Sequence, residues 1–281
     1  MCKKIAHGSD LACWSSDSWQ RYKTEDGKDF FVKTARQSAE KIFKGEALGL
    51  NAMYHAEAVG VPKVDGGRGG TLGPVEVRGA GSFIIMEYLS LGSPYDQYDF
   101  GKAMAKMHLA EPLAKEAKEG NFGFDVDNTI GGTPQPNKWD KDWVRFFREQ
   151  RIGHQVNLAG DGQLERIWDK VARRTLFEGI QVKPSVLHGD LWSGNYGGSN
   201  GRPCIYDPAV YYGHHEAEWG MSWCASFGSN FWKGYRELIP EDPGFRERRV
   251  LYELYHKLNH YNLFGGGYYS DAVSLMESLA K

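Results

Sequence analysis

The chain has 281 residues, 41% hydrophobic and 25% charged, with a formal net charge of -2; this is a globular composition with enough length for two lobes and a sizeable core. The balanced charge gives no electrostatic footing for nucleic acid or an anionic membrane as main partner, and no apolar run approaches the roughly 20 residues that span a bilayer. No secretory leader is visible in Met1-Cys2-Lys3-Lys4-Ile5, and the four scattered cysteines, Cys2, Cys13, Cys204 and Cys224, form no Cys-x-x-Cys pair, so a reducing, cytoplasmic setting is the expectation.

In chain order, Lys3 to Val32 read as strands and turns. Glu25-Asp26-Gly27-Lys28 has hairpin-turn chemistry, and Phe30-Phe31-Val32 reads as an apolar strand ending at Lys33. Residues 39–57 follow as a helix, with Ile42, Phe43, Ala47, Leu50 and Tyr54 at helical spacing and Gly60 at its end. Glu46 lies on that helix. Pro62-Lys63-Val64 reads as the start of a strand and residues 65–81 as a flexible, glycine-dense hairpin without chemistry. Ser82 to Tyr88 is then a buried strand that runs into Leu89-Ser90-Leu91-Gly92-Ser93-Pro94. Helical periodicity dominates afterwards: one helix carries Phe100, Met104, Met107 and His108, and a second covers 139–153 with Trp143, Phe146, Phe147 and Ile152 inward. A third covers 163–177, and late helices carry Leu251 to Leu263.

The chemistry gathers in His188-Gly189-Asp190-Leu191-Trp192-Ser193-Gly194-Asn195, followed by Cys204-Ile205-Tyr206-Asp207. A lone His-x-Asp triplet reads equally as a turn whose Asp bonds its own backbone. Here an amide follows the acid with four residues between them, and a strand ends on a further acid, which matches the H-R-D-x-x-x-x-N and D-F-G logic of kinases. Phosphoryl transfer asks for one group to accept a hydroxyl proton and for hard oxygen ligands to hold cations on the β- and γ-phosphates. Asp190 suits the first task, and Asn195 and Asp207 the second. Lys33, followed by Glu46 on the next helix, has the order of a phosphate-holding lysine and its orienting carboxylate. The segment from Met86 through Glu87, Tyr88 and Leu89 has the character of an adenine-pairing hinge. Two features depart from the template. The stretch from His7 to Trp19 holds only Gly8, where a phosphate-covering loop is usually glycine-rich, and no G-x-x-x-x-G-K-[ST] occurs. His214-His215-Glu216 offers zinc-ligating residue types, but adjacent histidines make poor co-ligands; hydrogen bonds that fix the Asp190 loop are the expected role.

Four segments carry a resemblance to the fructosamine kinase (ketosamine-3-kinase) family, a branch of the aminoglycoside phosphotransferase-like group. They are Phe30-Phe31-Val32-Lys33 with Glu46-Ala47-Leu48-Gly49-Leu50; Asn121-Phe122-Gly123-Phe124 through Asn128-Thr129-Ile130-Gly131 and Pro134-Gln135-Pro136-Asn137; the Leu187 to Asn195 loop; and Tyr206-Asp207-Pro208-Ala209-Val210-Tyr211-Tyr212-Gly213-His214. The resemblance implies an ATP- and Mg2+-dependent kinase that phosphorylates the sugar 3-hydroxyl of ketoamines, on proteins or free glycated amines, and so leads to deglycation. It implies Asp190 as proton acceptor, Asn195 and Asp207 as magnesium ligands, and Lys33 with Glu46 as the phosphate-positioning pair. Met86, Glu87, Tyr88 and Leu89 would line the adenine hinge, and Trp192, with His188 beside it, would contact the sugar.

The expected architecture is a two-lobed, protein-kinase-like α+β fold: a small antiparallel-sheet lobe over residues 1–88, a hinge over 89–94 and a mainly helical lobe over 95–281. Cys13 falls where the family places a loop cysteine, and a redox-sensitive thiol there is expected, in a monomer or a redox-sensitive dimer. The chain opens almost directly on its first strand, so an organelle is the alternative location should a leader have been removed. The competing readings are a kinase of another amino alcohol or an aminoglycoside, and a nucleotide-binding pseudokinase whose only support is the altered upstream loop.

Overall fold

The computed structural model describes residues 3–7, 18–35, 39–65, 75–77, 81–172 and 176–281. Strands β1 (Lys3–His7), β2 (Ser18–Lys23), β3 (Asp29–Ala35), β4 (Val75–Val77) and β5 (Gly81–Glu87) form one antiparallel sheet in the order β1-β2-β3-β5-β4. Between β3 and β4 the chain makes α1 (Glu40–His55), whose apolar stripe buries Phe43, Leu50 and Met53 completely. Helix and sheet together form the smaller lobe of a two-lobed α+β fold.

Three details of this lobe differ from the sequence reading. β3 continues through Lys33 to Ala35, because Lys33 pairs with Ile84 and Ala35 with Ser82 in β5; Lys33 is therefore inside the strand. Val64 makes only an isolated bridge to Met86, and a short strand, β4, lies within the glycine-dense stretch read as featureless. The sheet edge supplies β4 with hydrogen bonds that local composition does not signal.

The larger lobe opens on α2 (Gln97–Leu109), capped by the Asp96 carboxylate, which accepts from Tyr98 and Asp99 N–H at 2.7 and 3.1 Å. A short α3 (Lys115–Lys118) and a hairpin of β6 (Asn128–Ile130) and β7 (Thr133–Gln135) follow. The helix read from residue 139 begins instead at α4 (Trp143–Phe147), because Asp142 caps it through Arg145 N–H at 3.1 Å; Trp139 lies outside and stacks on Tyr212. It then widens into a π-helical turn, Arg148–Gly153, and continues as α5 (His154–Ala159). α6 (Gly162–Val171) stops short of the 177 read from periodicity. Four short strands, β8 (Ser185–Leu187), β9 (Tyr196–Ser199), β10 (Arg202–Ile205) and β11 (Tyr211–Gly213), pair as β8 with β11 and β9 with β10. A 3-10 segment, His215–Cys224, leads to α7 (Ser229–Leu238), α8 (Phe245–Phe264) and α9 (Tyr269–Leu279).

One contact between the lobes fixes the site. The loop after α1 adds to β10: Gly60 N–H donates to Pro203 O at 3.0 Å and Ile205 N–H to Gly60 O at 2.8 Å. β10 leads directly into Asp207, so the helix that carries Glu46 is tied to the strand that delivers Asp207. Among the described residues, no helix is long and apolar enough to cross a membrane.

Candidate active site

β8 is buried along its length and delivers the His188-Gly189-Asp190 loop. His188 is itself buried, and its ring locks the loop to the strand opposite. Nε2 donates to Tyr206 O at 2.9 Å, so Nδ1 is left to accept Asp190 N–H at 3.3 Å. Burial holds the His188 imidazole below its ordinary pKa despite the Glu218 carboxylate nearby, which keeps this neutral tautomer. Ala209 N–H donates back to His188 O at 2.9 Å. The approach is so close that a Cβ at Gly189, whose φ is +79°, would lie 2.2 Å from Ala209 O.

Asp190, Asn195, Asp207, Lys33 and Glu46 converge. Asn195 Nδ2 donates to Asp190 O at 2.8 Å, and more weakly to Asp207 O at 3.3 Å and Asp190 Oδ2 at 3.4 Å. Lys33 Nζ, buried, donates to Glu46 Oε1 at 2.6 Å and also contacts Asp207 Oδ1. One ammonium thus sits between two carboxylates, and Asp207 holds a left-handed backbone, φ +61°. Burial and the neighbouring Asp207 charge push the Glu46 pKa upward against the pull of Lys33. Burial, then Asp207 and Glu218, raise the Asp190 carboxyl to about 7; a group poised there exchanges protons near neutral pH.

The loop is held from behind by a residue that the sequence reading missed. Glu218, buried in the 3-10 segment, accepts His188 N–H at 2.7 Å and Gly189 N–H at 2.9 Å, and meets His108 Nε2 at 3.3 Å. Burial works to raise its pKa, but the His108 hydrogen bond and the other donors outweigh it, so Glu218 stays ionised. The nearby histidines do not do this work. His214 Nδ1 bonds Tyr252 OH at 2.7 Å, and both Glu216 oxygens take Arg248 nitrogens at 2.7 Å. The ligand atoms of His214, His215 and Glu216 lie within 4.8 Å of one another, but the carboxylate of the three is committed to a buried guanidinium, which makes the group structural.

The β6–β7 hairpin braces Asp207 from the other side. Asn128 Nδ2 donates to Val210 O at 2.8 Å and Gln135 Nε2 to Ala209 O at 3.1 Å. Asn137 and the fully buried Arg151 complete the brace: Asn137 Nδ2 donates to Asn128 Oδ1 at 2.9 Å, and Arg151 donates to Asn137 Oδ1 at 2.6 Å and Pro136 O at 2.5 Å while stacking on Tyr211. Arg151 lies in the π-helical turn, the kind of helix defect that often marks a functional constraint. The Asn-Thr-Ile-Gly and Pro-Gln-Pro-Asn segments therefore meet on the backbone just after Asp207.

The hinge candidates are differently engaged. Met86 is buried, Glu87 N–H donates to Lys63 O at 2.8 Å and Tyr88 N–H to Asp29 O at 3.3 Å, with Arg21 stacked on the Tyr88 ring. The Glu87 N–H is thus engaged by Lys63 and the Tyr88 N–H by β3. Cys13 and the loop around it lie outside the described residues.

A cavity of about 430 Å3 opens from this cluster, lined by Glu46, Asp190, Asn195 and Asp207 at one end. Trp192, 38% exposed, borders it next to Asp190. Its indole lies where a Cβ at position 194 would be, 2.3 Å from a ring carbon, so Gly194 is what lets the ring fold over the loop.

Fold and cavity together define a two-lobed phosphotransferase of the protein-kinase-like class. A sequence profile described as fructosamine kinase matches residues 9–281. The chain belongs to that family. It is 47% identical to the chloroplastic protein-ribulosamine 3-kinase of Oryza sativa subsp. japonica over 98% of this chain and 79% of the relative. It is 35% identical to the ketosamine-3-kinase of Mus musculus over 93% of this chain and 91% of the relative. Among solved structures, a provisional fructosamine-3-kinase of Thermobifida fusca superposes with a TM-score of 0.78 at 27% identity, covering 99% of this chain and 93% of that one.

Proposed function

We propose that the protein transfers the γ-phosphoryl group of ATP to the 3-hydroxyl of a ketoamine sugar, on glycated lysine of proteins or on free glycated amines. The observation that carries this reading is the meeting of Asp190, Asn195 and Asp207 with the Lys33–Glu46 pair at one end of a single cavity. Residues 1–88 serve as the nucleotide lobe, 89–94 as the hinge and 95–281 as the substrate lobe, with Leu89 N–H the adenine contact. Asp190 takes the proton of the sugar hydroxyl as its oxygen bonds to phosphorus and ADP leaves. Lys33, oriented by Glu46, holds the α- and β-phosphates. Asn195 commits its NH2 group to backbone carbonyls, so its amide oxygen and the Asp207 carboxylate are the hard donors suited to Mg2+, which neutralises phosphate charge when bound. Trp192 offers a ring face to the sugar. Carboxylates line the cavity only at the phosphoryl-transfer end among the described residues, a poor match for a polycationic aminoglycoside. The location of the rice relative favours an organelle over the cytoplasm.

Coupled ATP consumption, measured with Mg2+ and ribulose- or fructose-derived lysine adducts, tests the reading. Substrate-dependent turnover by the wild type that disappears in Asp190→Ala is expected. ATP binding without turnover of either adduct would overturn it.

A further inference from the structure

The two ends of the cavity differ in character. Beyond Trp192 its wall is built from Trp223, at the end of the 3-10 segment, and from His260, Phe264 and Tyr268 around the C-terminal end of α8. His260 is the hub: its ring centroid lies 5.6 Å from Trp223, 5.5 Å from Phe264 and 4.9 Å from Tyr268. The His260 Nδ1 is fixed on His256 O at 2.7 Å. Behind the wall, Lys257 Nζ sits 3.7 Å from the Trp223 ring centre and is neutralised by Asp271 at 2.9 Å, so one face of the indole is already covered and the ring is held in place. Trp223 nevertheless stays 40% exposed and Phe264 48% exposed. Large aromatics braced from behind and open towards a cavity carry meaning that singly scattered apolar residues do not.

We propose that this wall is the subsite for the amine-side substituent of the substrate: the methylene stem and secondary ammonium that the ketoamine inherits from lysine. The inference rests on the ketoamine reading of the same cavity. With its sugar beside Asp190 and Trp192, a ketoamine must project its nitrogen and the carbons beyond it away from the phosphoryl-transfer end, and ring faces are what it meets there. Ring faces suit such a group twice over, burying methylenes and attracting an ammonium without a carboxylate. A glycine substituent keeps the ammonium but brings one methylene and a carboxylate, so it gains least from the ring faces.

The test compares ribulose adducts of hexylamine, of Nα-acetyl-lysine through its ε-amine, and of glycine, with wild type, Trp223→Ala and Phe264→Ala. The readout is the ratio of kcat/KM between the hexylamine or lysine adduct and the glycine adduct, which does not depend on how much of a variant is folded. A fall in that ratio of about 10- to 50-fold, carried by KM, is expected once a ring face no longer covers the methylenes. Phe264→Ala, at the exposed end of α8, carries the test should Trp223→Ala not accumulate. A wild-type enzyme that turns over all three adducts, with variants that leave the ratio unchanged, overturns the subsite and leaves the ketoamine reading standing. A wild type that turns over none removes both.

Discussion

At the scale of single residues, the proposed base Asp190 predicts the pH behaviour. Its carboxyl is raised to about 7 by burial first and by the Asp207 and Glu218 charges second. A base must be unprotonated to accept the hydroxyl proton, so kcat/KM should rise with pH through about 7 and then level off. Mg2+ held at Asp207, as proposed, would add positive charge nearby and move the limb to lower pH. A pH–rate profile at two Mg2+ concentrations checks both points; an acidic limb that does not respond to Mg2+ would speak against cation binding beside Asp190. This residue and its partners were legible in the sequence because the loop is local. Asp190 and Asn195 lie five positions apart, and one loop suffices to bring them together. Trp192 was legible for the same reason, whereas the role of Gly194 beneath its ring emerges only with the indole in place.

At the scale of elements, the 3-10 segment is what holds the loop in shape. Glu218 receives two successive loop N–H groups, which neither His214 nor His215 does. Glu218→Gln keeps the size but loses the charge and sets an NH2 group against a backbone donor. A displacement of the loop by a fraction of an ångström is enough to misalign an in-line transfer. We expect kcat to fall about 10- to 100-fold, with KM for ATP within a factor of about three. Steady-state kinetics on both substrates would settle it, and a mainly KM effect would place Glu218 in binding instead. The sequence signalled this residue poorly. Glu218 sits 30 positions from His188, in a run where 216 and 218 are both acidic and both buried, one serving Arg248 and the other the loop. Likewise, the two motifs around Asn128 and Gln135 were visible as text, but their purpose was not: it lies in carbonyls more than 70 positions away.

At the scale of the whole molecule, buried neutral histidines govern acid stability. Burial lowers the pKa of His214 to about 2 and of His215 and His256 to about 3. In the unfolded chain each takes its proton near 6.5. Stability from these groups is therefore complete above pH 6.5 and is lost progressively as pH falls towards 3, by up to about 1.4 kcal/mol per pH unit for each. Asp190 acts in the opposite sense, since the folded chain keeps a proton there up to about pH 7 that the unfolded chain has already released. His188 and His260 shift with the three imidazoles, and Glu46 and Glu216 shift with Asp190; the large downward shifts of the imidazoles set the sign, a net decline seen as a Tm lower by several degrees at pH 5 than at pH 7.5. Differential scanning calorimetry across that interval measures it; a flat or rising Tm towards pH 5 would contradict the burial assigned to the three imidazoles.

The two-lobed α+β order, the strand lysine, the helix carboxylate and the loop of Asp190 and Asn195 followed by Asp207 were set by the sequence alone. They depend on periodicity, on turn chemistry and on spacings that a few residues can close. Tertiary structure decided the rest. It extended β3 past Lys33, gave β4 hydrogen bonds that its composition does not announce, and engaged the Glu87 N–H with Lys63 and the Tyr88 N–H with β3. It chose Glu218 over the histidines, and gathered Trp223, His260, Phe264 and Tyr268 into one wall. In each case the physical reason is the same: a buried polar group or a ring is assigned its partner by whatever the fold packs against it, and that neighbour lies far along the chain.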